Sequence, residues 1–184
     1  MRKLAPALAV CLCLSACGTH PPRVPDLSKP AAPGGYTTYA APNGDVSFSH
    51  PVTWAATPRT PPGVATVASG GASVTVWSYT ATTPVLDAAA ARQAMARLLA
   101  SLKKRDPAFE VAGASVVPGL GGPAVQIAGR TKIQGRPVRV RSVHIWKAAG
   151  EYVIDGLADP AAFAEANKIA FEPLLKSLKV GGRR

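Results

Sequence analysis

The stretch Arg130-Thr131-Lys132-Ile133-Gln134-Gly135-Arg136-Pro137-Val138-Arg139-Val140-Arg141 decides how this chain folds. Read as a two-residue turn, Gln134-Gly135 sets Ile133 opposite Arg136, Arg130 opposite Arg139 and Ala128 opposite Arg141. Side chains alternate between the faces of a strand. Arg130, Lys132, Arg139 and Arg141 therefore point one way, while Ile127, Val138, Val140 and Trp146 point the other. Core burial and charge clustering select the same register. Like charges set directly opposite each other are destabilising, so the cluster needs a reason. An anionic partner for Arg130, Lys132, Arg136, Arg139 and Arg141 is one reason; a solvated sheet face or a cationic strand that protects an edge is another.

Outward from the hairpin, four antiparallel strands are expected at Glu110 to Val117, Ala124 to Lys132, Arg136 to Lys147 and Glu151 to Leu157. Pro118-Gly119-Leu120-Gly121-Gly122 and Ala148-Ala149-Gly150 serve as the other connectors. Upstream, Thr83-Pro84 opens a helix with threonine as cap and proline in the first turn. Met95, Leu98, Leu99 and Leu102 give that helix its apolar stripe, and Lys103-Lys104-Arg105 meet the negative end of its dipole. Two hairpins precede it. Tyr36 to Ala41 and Asp45 to Ser49 flank Pro42-Asn43-Gly44, and Val64 to Ala68 and Ser73 to Tyr79 flank Ser69-Gly70-Gly71-Ala72. Pro51 stops a strand, Trp54 offers an apolar plug, and Thr57 to Pro62 reads as a loop. Downstream, Asp159-Pro160 opens a last helix. Phe163, Asn167, Ala170, Phe171, Leu174 and Leu178 share one face of it, and Pro173 should kink or break it near Glu172. The fold class is α+β: an antiparallel sheet of about six to seven strands flanked by two main helices.

The N-terminus carries an address. Arg2 and Lys3 precede an apolar run from Leu4 to Leu14, and Leu14-Ser15-Ala16-Cys17 has the form of a lipobox, where cleavage leaves a lipid-bearing cysteine first. The run is far short of the roughly 20 apolar residues that a transmembrane helix needs. The expected organisation is a signal peptide over 1–16, a Pro/Gly/Ala-rich tether over 17–35 starting at lipidated Cys17, one domain over 36–180 and a basic tail over 181–184. Cys11 and Cys13 fall in the signal, so disulfides and thiolate metal sites are excluded from the remainder. Removing Arg2 and Lys3 from 21 basic residues leaves 19 against 10 acidic ones, a formal +9 over 168 residues. Such a balance favours anionic neighbours. On the outer face of the cytoplasmic membrane these are anionic lipid, wall glycan or an acidic envelope protein rather than nucleic acid.

Several residues resemble a known family. Val46-Ser47-Phe48-Ser49-His50-Pro51-Val52-Thr53-Trp54 is similar to the opening strand of the PsbP-like (Mog-type) fold, which ends in Pro-x-x-Trp. Gly122-Pro123-Ala124 resembles the entry to its middle strand, Tyr152 and Ile154 its last strand, and Phe171 to Leu178 its closing helix. His50 departs from the pattern, standing where an aromatic residue is frequent. The fold is shared by the photosystem II extrinsic subunit, a Ran-binding nuclear import factor and many actinobacterial lipoproteins. The resemblance spans about residues 36 to 180 and implies a scaffold with no common catalytic set.

Chemistry is sparse in the residues themselves. No Gly-x-Ser-x-Gly nucleophile turn exists; of the histidines, His20 lies in the tether, and neither His50 nor His144 has a partner histidine or cysteine within a few residues for a metal. Gly119-Leu120-Gly121-Gly122 is a turn, not a phosphate cradle. His50 reads as a turn residue and His144 as a half-buried strand residue beside Trp146. Asp155, Asp159, Glu151 and Glu165 form carboxylate pairs only if the fold brings them together. No cofactor is expected beyond the lipid on Cys17. The sequence thus describes a non-catalytic binding or accessory domain for an anionic envelope component or protein. A carrier of a lipid or other apolar solute requires a continuous apolar pocket, and a hydrolase requires a cleft serine beside His50 or His144.

Overall fold

In the computed structural model, which describes residues 29–81, 83–119, 121–147 and 150–181, alternation of small apolar and polar residues builds a sheet with two unlike faces. Cys17, the signal, His20, most of the tether and residues 182–184 lie outside the described residues. The strands are β1 (Tyr36–Ala40), β2 (Val46–Pro51), β3 (Ala55–Pro58), β4 (Gly63–Ser69), β5 (Ala72–Thr80), β6 (Glu110–Pro118), β7 (Pro123–Ile133), β8 (Arg136–Lys147), β9 (Gly150–Ala158) and β10 (Lys179–Val180). Helix α1 is Ala88–Arg105. The C-terminal helix comprises α2 (Phe163–Ala166), a π-helical segment Asn167–Phe171 and α3 (Glu172–Ser177).

Seven strands form one antiparallel sheet in the order β3-β4-β5-β9-β8-β7-β6, and β1-β2-β10 form a second, small sheet. The β7–β8 register is the one that the Gln134-Gly135 turn dictates: Ile133 pairs with Arg136, Arg130 with Arg139 and Ala128 with Arg141. Both turn residues take positive φ, 50° at Gln134 and 78° at Gly135, as a primed hairpin turn requires.

One face of the large sheet meets the small sheet and the C-terminal helix. Val67, Val74, Val76, Val143, Ile145 and Ile154 from the sheet pack there with Phe48, Trp54, Phe171 and Leu174. Gly156 belongs to this contact, because a Cβ there would lie 2.5 Å from the Phe171 ring. The other face is covered by α1 over β6 and β7, in a smaller cluster of six buried residues that includes Ala91, Phe109, Val125 and Ile127. Each large apolar side chain fully buried in this way contributes roughly 1.5–3 kcal/mol. The first cluster, with twenty buried residues, therefore dominates stability.

Several boundaries differ from the sequence expectation. Helix α1 begins at Ala88, not at Thr83-Pro84, because Asp87 caps it by accepting from the Ala90 amide at 2.8 Å. The non-helical chain before it lets Val85 reach the core. Ala55–Pro58, partly read as loop, is an edge strand paired to β4, a place where proline is tolerated. Asp159 caps only a turn, through the Ala161 amide, and the last helix starts at Phe163. Pro173 does not break that helix; the turn before it widens into the π-helical segment. A proline cannot bond the carbonyl four residues earlier, and that carbonyl, on Ile169, instead accepts the Tyr36 hydroxyl at 2.9 Å. Val180, the last residue of the expected domain, pairs with Val46. Residues 30–35, read as tether, lie against the domain. The Ala31 amide donates to Ser69 Oγ, Trp54 Nε1 donates to the Ala31 carbonyl, and Thr53 Oγ1 donates to that of Ala32.

Candidate functional site

The five hairpin cations do not stay together as one free patch. The C-terminal helix crosses the face on which Arg139 and Arg141 stand. Arg139 lies over the Phe163 ring at 4.7 Å and Arg141 over the Phe171 ring at 4.7 Å. Arg141 also donates to Gln126 Oε1 from Nε and Nη2 (3.0 and 2.7 Å) and to Asn167 Oδ1 at 2.7 Å, with Glu172 at 3.6 Å. This arginine, its side chain only 20% exposed, rivets the helix to the sheet. Arg130 pairs with Glu110 at 3.1 Å in the open. Lys132 and Arg136 flank the hairpin tip, exposed to solvent.

The opposite face carries chemistry that composition did not reveal. Ser142 and His144 alternate inward on β8, and Ser142 stands directly opposite Asp155 of β9. Trp77 Nε1 donates to Asp155 Oδ2 at 3.0 Å and Ser142 Oγ donates to Oδ1 at 2.6 Å. His144 Nε2 lies 3.2 Å from Ser142 Oγ, and its Nδ1 lies 2.7 Å from Glu151 Oε1. A polar belt thus runs across β5, β9 and β8, with the Trp146 ring stacked on His144 at 6.2 Å. His144 is half-buried beside Trp146, as its strand position suggested. His50 is buried, and its Nδ1 meets the Pro51 carbonyl at 2.9 Å.

Helix α1 does not close over this belt. Between them lies a cleft of about 280 Å³ with apolar walls from Leu98, Leu102, Phe109, Ile127, Val140 and Leu157. Ser142, His144 and Asp155 form its polar floor, and Ser101, Arg105, Asp106 and Thr131 its polar rim. A neighbouring recess of about 230 Å³ shares Leu98 and Ser101 and reaches Trp146 and Glu151. The belt raises the Tyr79 phenol above its ordinary pKa: burial acts first, then the negative charges of Asp155 and Glu151, against a partial offset from Arg105.

Ser142, His144 and Glu151 have the contacts of a serine–histidine–carboxylate set, but the hydroxyl proton runs the other way. A carboxylate oxygen only accepts, so the Ser142 hydroxyl donates its hydrogen bond to Asp155 Oδ1 and not to His144. Ser142 also sits in mid-strand between two paired neighbours, where backbone amides are consumed by the ladder instead of forming an oxyanion site. Among the described residues, no group of three or more His, Cys, Asp or Glu is placed to hold a metal ion. No described helix is long and apolar enough to cross a membrane.

Comparison with known proteins gives the class through structure alone. No family model matches the sequence, and no curated protein matches it. The solution structure of cyanobacterial PsbP (CyanoP) from Synechocystis superposes with a TM-score of 0.61 at 10% identity, covering 80% of this chain and 94% of that one. The Saccharomyces cerevisiae Ran-binding protein Mog1p gives 0.56 at 10% identity, over 80% and 96%. LpqN of Mycobacterium tuberculosis, involved in cell envelope biogenesis, gives 0.53 at 14% identity, over 79% and 90%. The chain has the PsbP/Mog-like α+β fold. At these identities the likeness defines the scaffold, while function rests on the site.

Proposed function

We propose that this chain is a non-catalytic, envelope-side binding domain, tethered through a lipid on Cys17 to the outer face of the cytoplasmic membrane, whose α1 cleft takes a small amphipathic ligand. The observation that carries this is the cleft itself: apolar walls from α1, β7 and β8 stand over a short polar floor of Asp155, Ser142 and His144. Largely preformed concavities with few convergent polar groups are where small ligands bind. The cleft favours a small-ligand carrier over one anion site built from all five hairpin cations, since Arg141 is committed to holding the C-terminal helix and Arg130 is paired with Glu110. Envelope placement draws on the lipobox and on the fold shared with LpqN.

The test is a titration with the neutral apolar fluorophore N-phenylnaphthylamine. The native protein should bind it, and Leu102→Trp, which fills the cleft, should weaken binding by on the order of tenfold or more without lowering the melting temperature. Equal affinity in the two proteins would place the ligand elsewhere and sink the reading. A hydrolase is the second reading, favoured by the Ser142–His144–Glu151 contacts. Covalent capture of a fluorophosphonate, lost in Ser142→Ala, would decide for it.

A further inference from the structure

One row of cross-strand partners joins two features that are far apart in sequence. Ser69 pairs with Ala72, Ala72 with Ala158, Ala158 with Arg139, Arg139 with Arg130, and Arg130 with Glu110. At one side of this row, Ser69 accepts the Ala31 amide and so receives the end of the tether. On the other side, the β7–β8 hairpin projects past the row to its tip at Gln134-Gly135. With strands about 4.8 Å apart, the two are separated by roughly 15–20 Å along the same end of the sheet.

That end is also where the cations gather. Lys132 and Arg136 flank the tip, and Ile133 between them is 46% exposed. Helix α1 delivers Lys103-Lys104-Arg105 to the same end, since Asp106, which follows it, accepts the Thr131 hydroxyl at 2.6 Å. The acids present there are already engaged: Glu110 with Arg130, Asp106 with Thr131, and Asp159 with the Ala161 amide. Pro30 lies thirteen positions after Cys17, so the chain spans at most about 45 Å between a lipid and the domain.

We propose that this end of the sheet docks on an anionic bilayer, with the β7–β8 tip and the basic end of α1 facing the lipid headgroups and Ile133 entering the interface. The tether leaves the domain from this end, its maximal length keeps the end within reach of the membrane, and Lys or Arg near an anionic leaflet is attracted individually. An exposed isoleucine next to Lys132 and opposite Arg136 is suited to a headgroup boundary. The docking rests on the reading of Cys17 as the lipid-bearing residue. Its test is made without the lipid, so the two stand or fall separately; the anchor itself is read by palmitate incorporation in cells.

The experiment uses the chain from residue 17 onward with Cys17→Ser, sedimented with vesicles of phosphatidylcholine alone or mixed with phosphatidylglycerol. Binding should need phosphatidylglycerol and decline with salt. Lys132→Glu with Arg136→Glu should lower affinity by on the order of tenfold or more, and Ile133→Asp should lower it several-fold. Lys147→Glu, at the opposite end of the same strand, should leave it unchanged. A fluorophore on Gln134→Cys should be quenched by nitroxide lipid, and one on Lys147→Cys should not. Equal binding to neutral vesicles, or equal loss in Lys147→Glu, would overturn the proposal. Capture of a soluble acidic wall polymer with no vesicle binding would also overturn it, assigning the surface to polymer.

Discussion

Asp155 accepts from Trp77 and from Ser142 at once, which fixes a carboxylate on the same face of the sheet as Tyr79. Burial, then the charges of Asp155 and Glu151, hold the Tyr79 phenol above its ordinary pKa, with Arg105 opposing. Because the folded value is raised, the stability linked to the neutral phenol is fully present below the unfolded pKa. It is lost as pH rises through the folded one. Asp155→Asn removes one of the two negative neighbours, so Tyr79 should titrate at lower pH, read from tyrosinate absorbance; an unmoved titration would mean that Asp155 does not act on Tyr79. Tyr79→Phe should correspondingly unfold less steeply in alkali. At this scale the sequence was half legible. His144 beside Trp146 followed from alternation along one strand, and the facing of Arg130 and Arg139 followed from a turn of two residues. The Ser142–Asp155 pairing did not follow, because it depends on the β8–β9 register, and Ala148-Ala149-Gly150 has no turn chemistry that fixes one.

Arg141 shows how an element is placed by a side chain that sequence patterning assigns to solvent. It stands on the face opposite Val140, as alternation requires, but the C-terminal helix covers that face. Its guanidinium therefore serves Gln126, Asn167 and the Phe171 ring together. Arg141→Met keeps the apolar stem and strands Gln126 and Asn167, so urea unfolding should show a loss of about 2 kcal/mol. Arg136→Met at the exposed tip should change stability by less than about 0.5 kcal/mol. Equal effects would mean that Arg141 is a surface charge and not a rivet. The four-strand run from β6 to β9 was legible because each strand is long, alternating and bounded by glycine. The starts of both helices were not. Thr83 and Asp87 are both competent caps, and burial of Val85 selects the second. Edge strand β3 was hidden by its terminal Pro58, which a partner on one side only makes tolerable.

At the scale of the whole molecule, the sheet is loaded unequally. The face toward the small sheet and C-terminal helix carries the dominant cluster, whereas α1 is held by buried Ala91 and Ala94, with Met95, Leu98, Leu99 and Leu102 only partly covered. The cleft lies under this less deeply buried helix, so the proposed ligand site adjoins the layer with the fewer buried apolar side chains. Regions with few buried apolar contacts open locally at free energies below that of global unfolding, and binding elements are drawn from them. Native-state hydrogen exchange should thus find the α1 amides opening at least about 2 kcal/mol more easily than those of β5, β8 and β9. Leu102→Trp, by filling the cleft with apolar volume, should narrow that gap. Uniform protection across α1 and the central strands would mean that the domain opens only as one unit. In that case the cleft is a rigid groove that a ligand must fit as it stands, not one whose roof adjusts around it.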